Sequence, residues 1–268
     1  MKAIKVRNGT GSEDAFYLAD TPGPHLTSDD ILVRIHAFGV NRADLMQREG
    51  TYPMLPEYGD ILGLEFSGVI EEKGPDASDT FQVGDNVFGL TSGRAYAEKV
   101  ASSEKTLLHL PKELLWEEAA SLPEVFFTSV QAMRLVSGLK SGENVLIHAG
   151  ASGVGLATIQ VAKLFGANKV FVTAGSEEKC QLCKSLGANF AINYRSDDFA
   201  KVIRQETGGR GVDVILDMVG ANYWTRNVDS AALDARIVVI AYLSGNKIVD
   251  FDMRQWLGWN FYFLMAKG

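Results

Sequence analysis

The stretch that most constrains the fold is H-A-G-A-S-G-V-G, His148–Gly155. A short apolar run, 144–148, leads into it, and a run with helical periodicity, 153–165, follows. A further strand-like run, 169–173, comes next. The whole unit takes about thirty residues, the size of a strand–helix–strand crossover. Such alternation builds a parallel sheet. Counted from Gly150 the spacing is G-x-S-x-x-G, with Ser152 where a dinucleotide-binding loop ordinarily has its second glycine. Gly150 suits the tight turn, and Gly155 suits close packing of the helix on the sheet. Ser152 is small enough to let a ligand approach the backbone, and its hydroxyl can donate a hydrogen bond. The helix N-terminus offers unpaired N–H groups and a positive dipole end to a pyrophosphate. A plain tight turn is the alternative; the flanking strands and helix favour the dinucleotide.

The tip of the second strand separates two cofactors. It reads Thr173-Ala174-Gly175-Ser176, without the acidic residue that holds the ribose 2′-hydroxyl of NAD. Glu177 and Glu178 come later, in the first turn of a helix over 177–186, where the helix dipole accounts for them. Lys179 lies one turn in, and Tyr194 follows a third strand at 190–192. A cation and hydroxyl groups beside an empty acidic position suit a 2′-phosphate. NADPH is therefore expected over NADH; for Lys179 a solvated surface lysine is the alternative.

The chain before Pro123 reads differently. Strand-like runs at 1–6, 31–37, 63–72, 83–90, 96–100 and 106–110 are punctuated by Pro22-Gly23-Pro24 and Gly74-Pro75, a pattern of barrels and sandwiches. Helices at 113–121 and 126–136 lead into the alternating region, which strands at 212–216 and 237–240 continue. The expectation is a β-domain over 1–123 and a doubly wound α/β domain over 124–268, and 268 residues suffice for two cores. A net charge of −7 with no basic stripe argues against a nucleic-acid partner. The first residues, M-K-A-I-K-V, read as a strand and not as a signal peptide, and no apolar run approaches a membrane span. The expected compartment is the cytosol, with no membrane partner.

A zinc site needs closely placed Cys and His ligands. The chain has two cysteines and four histidines. Cys180 and Cys183 alternate with Leu182 and Leu186 on the 177–186 helix and read as small apolar residues. A redox pair would need an exposed thiolate of low pKa. His148, at the end of a strand, reads as structural.

Several stretches carry a family resemblance: N-R-A-D-L-M-Q-R-E-G-T-Y at Asn41–Tyr52, I-L-G-L-E-F-S-G at Ile61–Gly68, V-G-D-N-V-F at Val83–Phe88, A-A-S-L-P-E-V-F-F-T-S at Ala119–Ser129, V-L-I-H-A-G-A-S-G-V-G at Val145–Gly155, and Asn193-Tyr194. Together they resemble the zinc-free quinone oxidoreductases of the medium-chain dehydrogenase/reductase superfamily. The resemblance implies an N-terminal GroES-like β-barrel, then a Rossmann domain, with the active site between them. It implies NADPH as hydride donor to quinones or related conjugated carbonyls. Zinc-using relatives have cysteine where this chain has Asn41 and histidine where it has Leu64, so no metal is expected. By family match, Asn41, Tyr52 and Thr128 would lie near the nicotinamide or substrate, with Tyr52, Asn41 and Ser152 the catalytic candidates. Gly150, Ser152, Gly153, Val154 and Gly155 would line the pyrophosphate and nicotinamide side. Gly175, Ser176, Lys179 and Tyr194 would hold the adenosine phosphate. A homodimer through the edge of the Rossmann sheet is also implied. Each residue has a plainer alternative: Asn41 can cap a helix starting at Arg42, Tyr52 can be a packed loop aromatic, and Glu65 can pair with a local cation.

The family pattern breaks after Asn246. The elements that return to the first domain have no counterpart in K-I-V-D-F-D-M-R-Q-W-L-G-W-N-F-Y-F-L-M-A-K-G. Residues 258–265 read as one more strand, crowded with Trp259, Phe261, Tyr262 and Phe263. Two expectations follow: a fragment or truncated form, or a shortened member that covers the gap by edge-to-edge association. Two rival functions remain open, a catalytically poor nucleotide-binding or regulatory protein and an enoyl-thioester reductase.

Overall fold

A computed structural model describes residues 1–52 and 60–248, and the backbone of 262–265. The chain packs as two compact units, Met1–Glu124 and Val125–Gly268.

The first unit is antiparallel. Strands β1 (Lys2–Val6) and β2 (Phe16–Asp20) pair with each other. Strands β3 (Asp30–Phe38), β4 (Glu65–Lys73), β5 (Asn86–Leu90), β6 (Lys99–Ser103) and β7 (Leu107–His109) form a five-stranded sheet ordered β6-β3-β4-β5-β7. Successive side chains of a strand point to opposite faces, which explains β3: Ile31 and Val33 are fully buried while Arg34 is exposed. They join Phe66, Ile70, Val87 and Val100 in one core. Helix α1 (Arg42–Arg48) lies between β3 and β4, and α2 (Trp116–Ala120) follows β7. The 96–100 run ends in β6, three residues later than its pattern suggests. Tyr96 sits instead against Gly63, with its N–H on Leu62 O at 2.9 Å.

The second unit is a parallel sheet. Its strands β8 (Val145–Ile147), β9 (Val170–Ala174), β10 (Phe190–Asn193), β11 (Val212–Asp217), β12 (Ala231–Val239) and β13 (Tyr262–Met265) are ordered β10-β9-β8-β11-β12-β13. Counted within the unit this is 3-2-1-4-5-6, the doubly wound order of dinucleotide-binding folds. Only part of the 258–265 expectation can be compared, because residues 258–261 and the side chains of 262–265 lie outside the described set. Helices α4 (Gly153–Leu164), α5 (Glu177–Ser185), α6 (Phe199–Glu206) and α7 (Trp224–Ser230) connect the strands. The central strands β8, β9 and β11 are buried along their whole length, and most of their residues are apolar, as expected for a sheet covered on both faces. Val145 and Ile147 face one core, with Val172, Leu216 and Ile159 of α4. Leu146 faces the other, with Phe171, Ile215, Phe199 and Trp224.

The 126–136 helix is not uniform. Helix α3 (Pro123–Val130) runs into a π-helical stretch, Gln131–Val136. There Ser137 N–H donates to Ala132 O, and the Ser137 hydroxyl donates to Met133 O at 2.7 Å. Wide turns of this kind are invisible to a 3.6-residue period.

Phe171 is fully buried and stacks on Phe190 with ring centroids 4.8 Å apart. Phe171→Ala should cost about 3–5 kcal/mol, the usual range for emptying an aromatic site in a core. Urea denaturation followed by circular dichroism measures it; a loss well under 1 kcal/mol would contradict this packing.

Candidate functional site

The glycine-rich turn is shaped by what its glycines lack. A Cβ on Gly150 would lie 2.8 Å from Val172 Cβ and 3.2 Å from Cys183 Sγ. One on Gly155 would collide with the carbonyl oxygens of Ala149 and Gly150, the latter at 2.6 Å. Gly155 thus brings α4 against the turn itself, not against the sheet as its spacing suggests. Gly150 N–H donates to Thr173 O at 2.8 Å, tying the turn to β9. Ser152 is the N-cap of α4: its Oγ accepts from Gly155 N–H at 3.1 Å and its hydroxyl points to Met218 Sδ at 3.7 Å. The hydroxyl expected to meet a ligand thus also holds the helix end. The first-turn amides of Gly153 and Val154 have no partner within the helix and sit at its positive end. A Cβ on Gly153 would lie 3.1 Å from Val125 Cγ1.

At the tip of β9, a Cβ on Gly175 would lie 2.9 Å from Tyr194 Oη, so Gly175, Ser176 and Tyr194 come together. Ser176 caps α5, accepting from Lys179 N–H at 3.3 Å. Tyr194 is 39% exposed, and Lys179 is exposed. Glu177 and Glu178 are exposed in the first turn of α5, and Glu177 accepts from Gln181 at 2.7 Å. Cys180 and Cys183 are buried, and burial pushes the Cys183 thiol up to about 11. Thiols so protected stay protonated, which fits the packing role. Thr128 is half-buried on α3.

The first unit gathers a second set. Asn41 occupies the N-cap position of α1, and its N–H donates to Asp44 Oδ2 at 2.8 Å. Its side-chain amide reaches Glu65 Oε1 at 2.7 Å. Glu65 Oε2 accepts Glu124 N–H at 2.8 Å, and Tyr96 Oη donates to Asp44 Oδ2 at 3.0 Å. The partners found for Glu65 are therefore amide N–H groups, and the cation proposed for it is absent among the described residues. Tyr52 follows α1, with its N–H on Met46 O at 3.2 Å, and is half-buried. Three carboxylates converge here without an ion pair among the described residues. Burial raises all three, and each charge hinders the next: Glu124 is pushed up to about 7 by burial, then by Glu65 and Asp44. Tyr52 is held above its usual value by burial and by Glu124.

Asp44 and Glu124 were not singled out from the sequence. Asp44 has a readable signal, the N-x-x-D spacing of a capping box. Glu124 has none, because its partner Glu65 is 59 residues away.

The comparisons with known proteins bear on both units. The model of the alcohol dehydrogenase GroES-like domain matches residues 27–112, and that of the zinc-binding dehydrogenase matches 153–264. A rat quinone oxidoreductase is 34% identical over 241 residues, 90% of this chain and 73% of its own. The chain belongs to the medium-chain dehydrogenase/reductase superfamily. Its quinone oxidoreductase-like relatives include a mouse quinone oxidoreductase-like protein 2, 36% identical over 217 residues; the match takes in 81% of this chain and 62% of the mouse protein. The chain thus spans under two thirds of that relative's length. A mycobacterial protein solved with NADPH superposes with a TM-score of 0.87 at 30% identity, over 100% of this chain and 82% of that one. The first unit is thus the GroES-like domain of the superfamily and the second its Rossmann-like domain. No three His, Cys, Asp or Glu side chains among the described residues are grouped to hold a metal. No described helix is long and apolar enough to cross a membrane.

The Glu124 ionisation gives a signed prediction. Its folded-state pKa lies above the usual 4.5, at about 7. Between these values the folded chain keeps a proton that the unfolded chain has released, so this group's contribution is present below pH 4.5 and is lost as pH rises through 7. Glu124→Gln should change stability little at pH 5 and raise it by about 1–2 kcal/mol at pH 8, a value discounted for partial exposure. Thermal denaturation at the two pH values checks it; an equal effect at both would rule out the raised pKa.

Proposed function

We propose that this chain is an NADPH-dependent, metal-independent reductase of quinones or related conjugated carbonyls. The observation that carries the reading is the pair of glycine cradles, at Gly150–Gly155 and at Gly175 against Tyr194, with no acidic residue at the β9 tip. The first cradle fits a pyrophosphate on the amides of Gly153 and Val154. The second leaves room for a 2′-phosphate beside Ser176, Tyr194 and Lys179. A relative solved with NADPH supports the same cofactor.

Bound there, NADPH supplies the hydride that a quinone, already a good acceptor, takes without a Lewis acid. The chain's own part is to orient the acceptor and exclude water. Asn41 and Tyr52 do the orienting, and Asn41 is itself fixed by Glu65 and Asp44. Tyr52, raised above the usual tyrosine value, is a weak acid, so the proton for the reduced oxygen comes from solvent. Residues 41 and 64, where zinc-using relatives have Cys and His, are Asn and Leu, which supports the metal-free reading. Cytosolic placement and a homodimer paired through the sheet edge belong to the same proposal.

Fluorescence titration with NADPH and with NADH tests the cofactor, and quinone turnover tests the reaction. NADPH should bind more tightly, and Lys179→Glu should erase that preference by about tenfold, the worth of one charge-assisted contact. A preference for NADH would refute the roles of Lys179 and Tyr194. Tyr52→Phe should lower turnover by about ten- to a hundredfold without abolishing it, as expected for a residue that orients rather than supplies the proton. Complete loss with unchanged NADPH binding would make Tyr52 the proton donor.

A further inference from the structure

Behind the glycine turn, four side chains form one buried hydrogen-bonded chain. His148, at the end of β8, is fully buried. Its Nδ1 lies 3.0 Å from Thr173 Oγ1 of β9, and its Nε2 lies 2.7 Å from Asn227 Oδ1 of α7. Asn227, also fully buried, donates from Nδ2 to Asp217 Oδ2 at 2.8 Å. Asp217 Oδ1 accepts the N–H groups of Val219 at 2.6 Å and Gly220 at 3.0 Å.

The direction of every bond follows. An asparagine that donates to a carboxylate must turn its carbonyl oxygen the other way, so Oδ1 faces His148. Nε2 then carries the imidazole proton, and Nδ1 accepts from the Thr173 hydroxyl. Burial keeps the ring neutral by lowering its pKa. Phe199 and Tyr223 close over it edge-on, with centroids 5.0 and 4.7 Å away.

The chain joins two turns. One follows β8, where Ala149 holds a left-handed φ of 48° and Gly150 hangs on Thr173 O. Thr173 therefore serves this turn twice, through its carbonyl and through its hydroxyl. The other turn follows β11, where Val219 and Gly220 hang on Asp217, and Gly220 has φ 87°. Strands β8 and β11 are neighbours, with Ile147 opposite Leu216. They lie where the strand order reverses, and ligands of doubly wound sheets bind off the carboxyl ends of the strands at that point.

We propose that His148, Asn227 and Asp217 are positioning residues for the dinucleotide: the chain locks the two turns that flank the crevice into one unit, so that cofactor affinity depends on side chains that never touch the cofactor. The inference rests on the nucleotide reading above. A fully satisfied buried network selects one arrangement, and a broken one leaves unpaired groups that the turns must move to relieve.

Asn227→Leu keeps the approximate volume and cuts both links. The Kd for NADPH, read by fluorescence well below the melting temperature, should rise about tenfold, the scale of leaving buried groups unpaired. The KM for NADPH should rise with it while kcat stays within about twofold, the pattern of lost uniform binding. Amide exchange at Gly150, Val219 and Gly220 should quicken. The decisive variant exchanges the two ends. In Asp217→Asn with Asn227→Asp, the new carboxylate accepts from His148 and from the new amide, whose oxygen still accepts Val219 and Gly220. Each single change should weaken NADPH binding, and the pair should restore it to within about threefold, because coupled partners are not additive. Should Asn227→Leu fail to fold, Thr173→Val removes one bond and should still raise Kd by about two- to threefold. Variants that melt earlier yet bind NADPH like the parent would reduce the chain to structural support and overturn the proposal. A parent protein that binds neither NADPH nor NADH removes the nucleotide reading and the proposal together, and is told apart by that control.

Discussion

The N-terminus of α4 meets the end of β8 at backbone distance, and two missing Cβ atoms make that approach possible. With a side chain at residue 155 the helix would have to leave the carbonyls of Ala149 and Gly150. With one at 150 the turn would lift off Val172 and Cys183. Either movement would separate α4 from the turn and strain the bond from Gly150 to Thr173. The packing of Cys183, the Ser152 cap and the lie of His148 all follow from that approach. The glycines cost backbone entropy on folding; what they return is a polar helix end placed at the mouth of an apolar sheet.

The first unit solves a different problem. Asp44 and Glu65 are buried at 0% and 2% exposure with Glu124 beside them, yet their hydrogen bonds come from neutral donors: backbone N–H groups, the Asn41 amide and the Tyr96 hydroxyl. Neutral donors ease the desolvation of a carboxylate without cancelling its charge, so the charge remains to act on its neighbours. Glu124 takes the consequence as a proton held near neutrality, and Tyr52 as a hydroxyl that resists ionisation. A cluster that works against stability at neutral pH is the sort of arrangement that functional sites retain. It also explains why Asn41 is held by two carboxylates: a residue that donates from both its backbone and its side-chain amide has little freedom left.

Local patterns were legible in the sequence, and long-range partners were not. The turn around Gly150, the empty acidic position at Gly175 and the apolar nature of Cys180 and Cys183 could be read because spacing alone determines them. The helix at Arg42 was readable for the same reason. Strand β2 escaped because Phe16–Asp20 has no clean alternation of burial; Tyr17 and Leu18 are both exposed. The bend of α3 into a π-helical stretch escaped because periodicity assumes one helical repeat. Ser152 reads as a residue that meets a ligand; its hydroxyl accepts from Gly155 N–H, which only the geometry of the helix end reveals. His148 reads as structural from its position, but its partners lie 25 and 79 residues away. No local rule could have joined it to Asn227.

The serine in the fingerprint can now be given a physical reason. A glycine at 152 would open the same space for a ligand but would leave Gly155 N–H without its acceptor. A serine cap is worth roughly a few tenths of a kcal/mol to a helix end relative to glycine, and it satisfies one first-turn donor while Gly153 and Val154 keep theirs. The substitution therefore settles how the helix end is held and says little about which nucleotide it receives. On the proposed reading, discrimination between the two nicotinamide cofactors would come from the far end of the ligand, where Gly175 lies against Tyr194 and the strand tip 173–176 carries no acidic residue. Under the proposed function, the turn would hold what the two cofactors share, and the tip of β9 would meet the one group by which they differ.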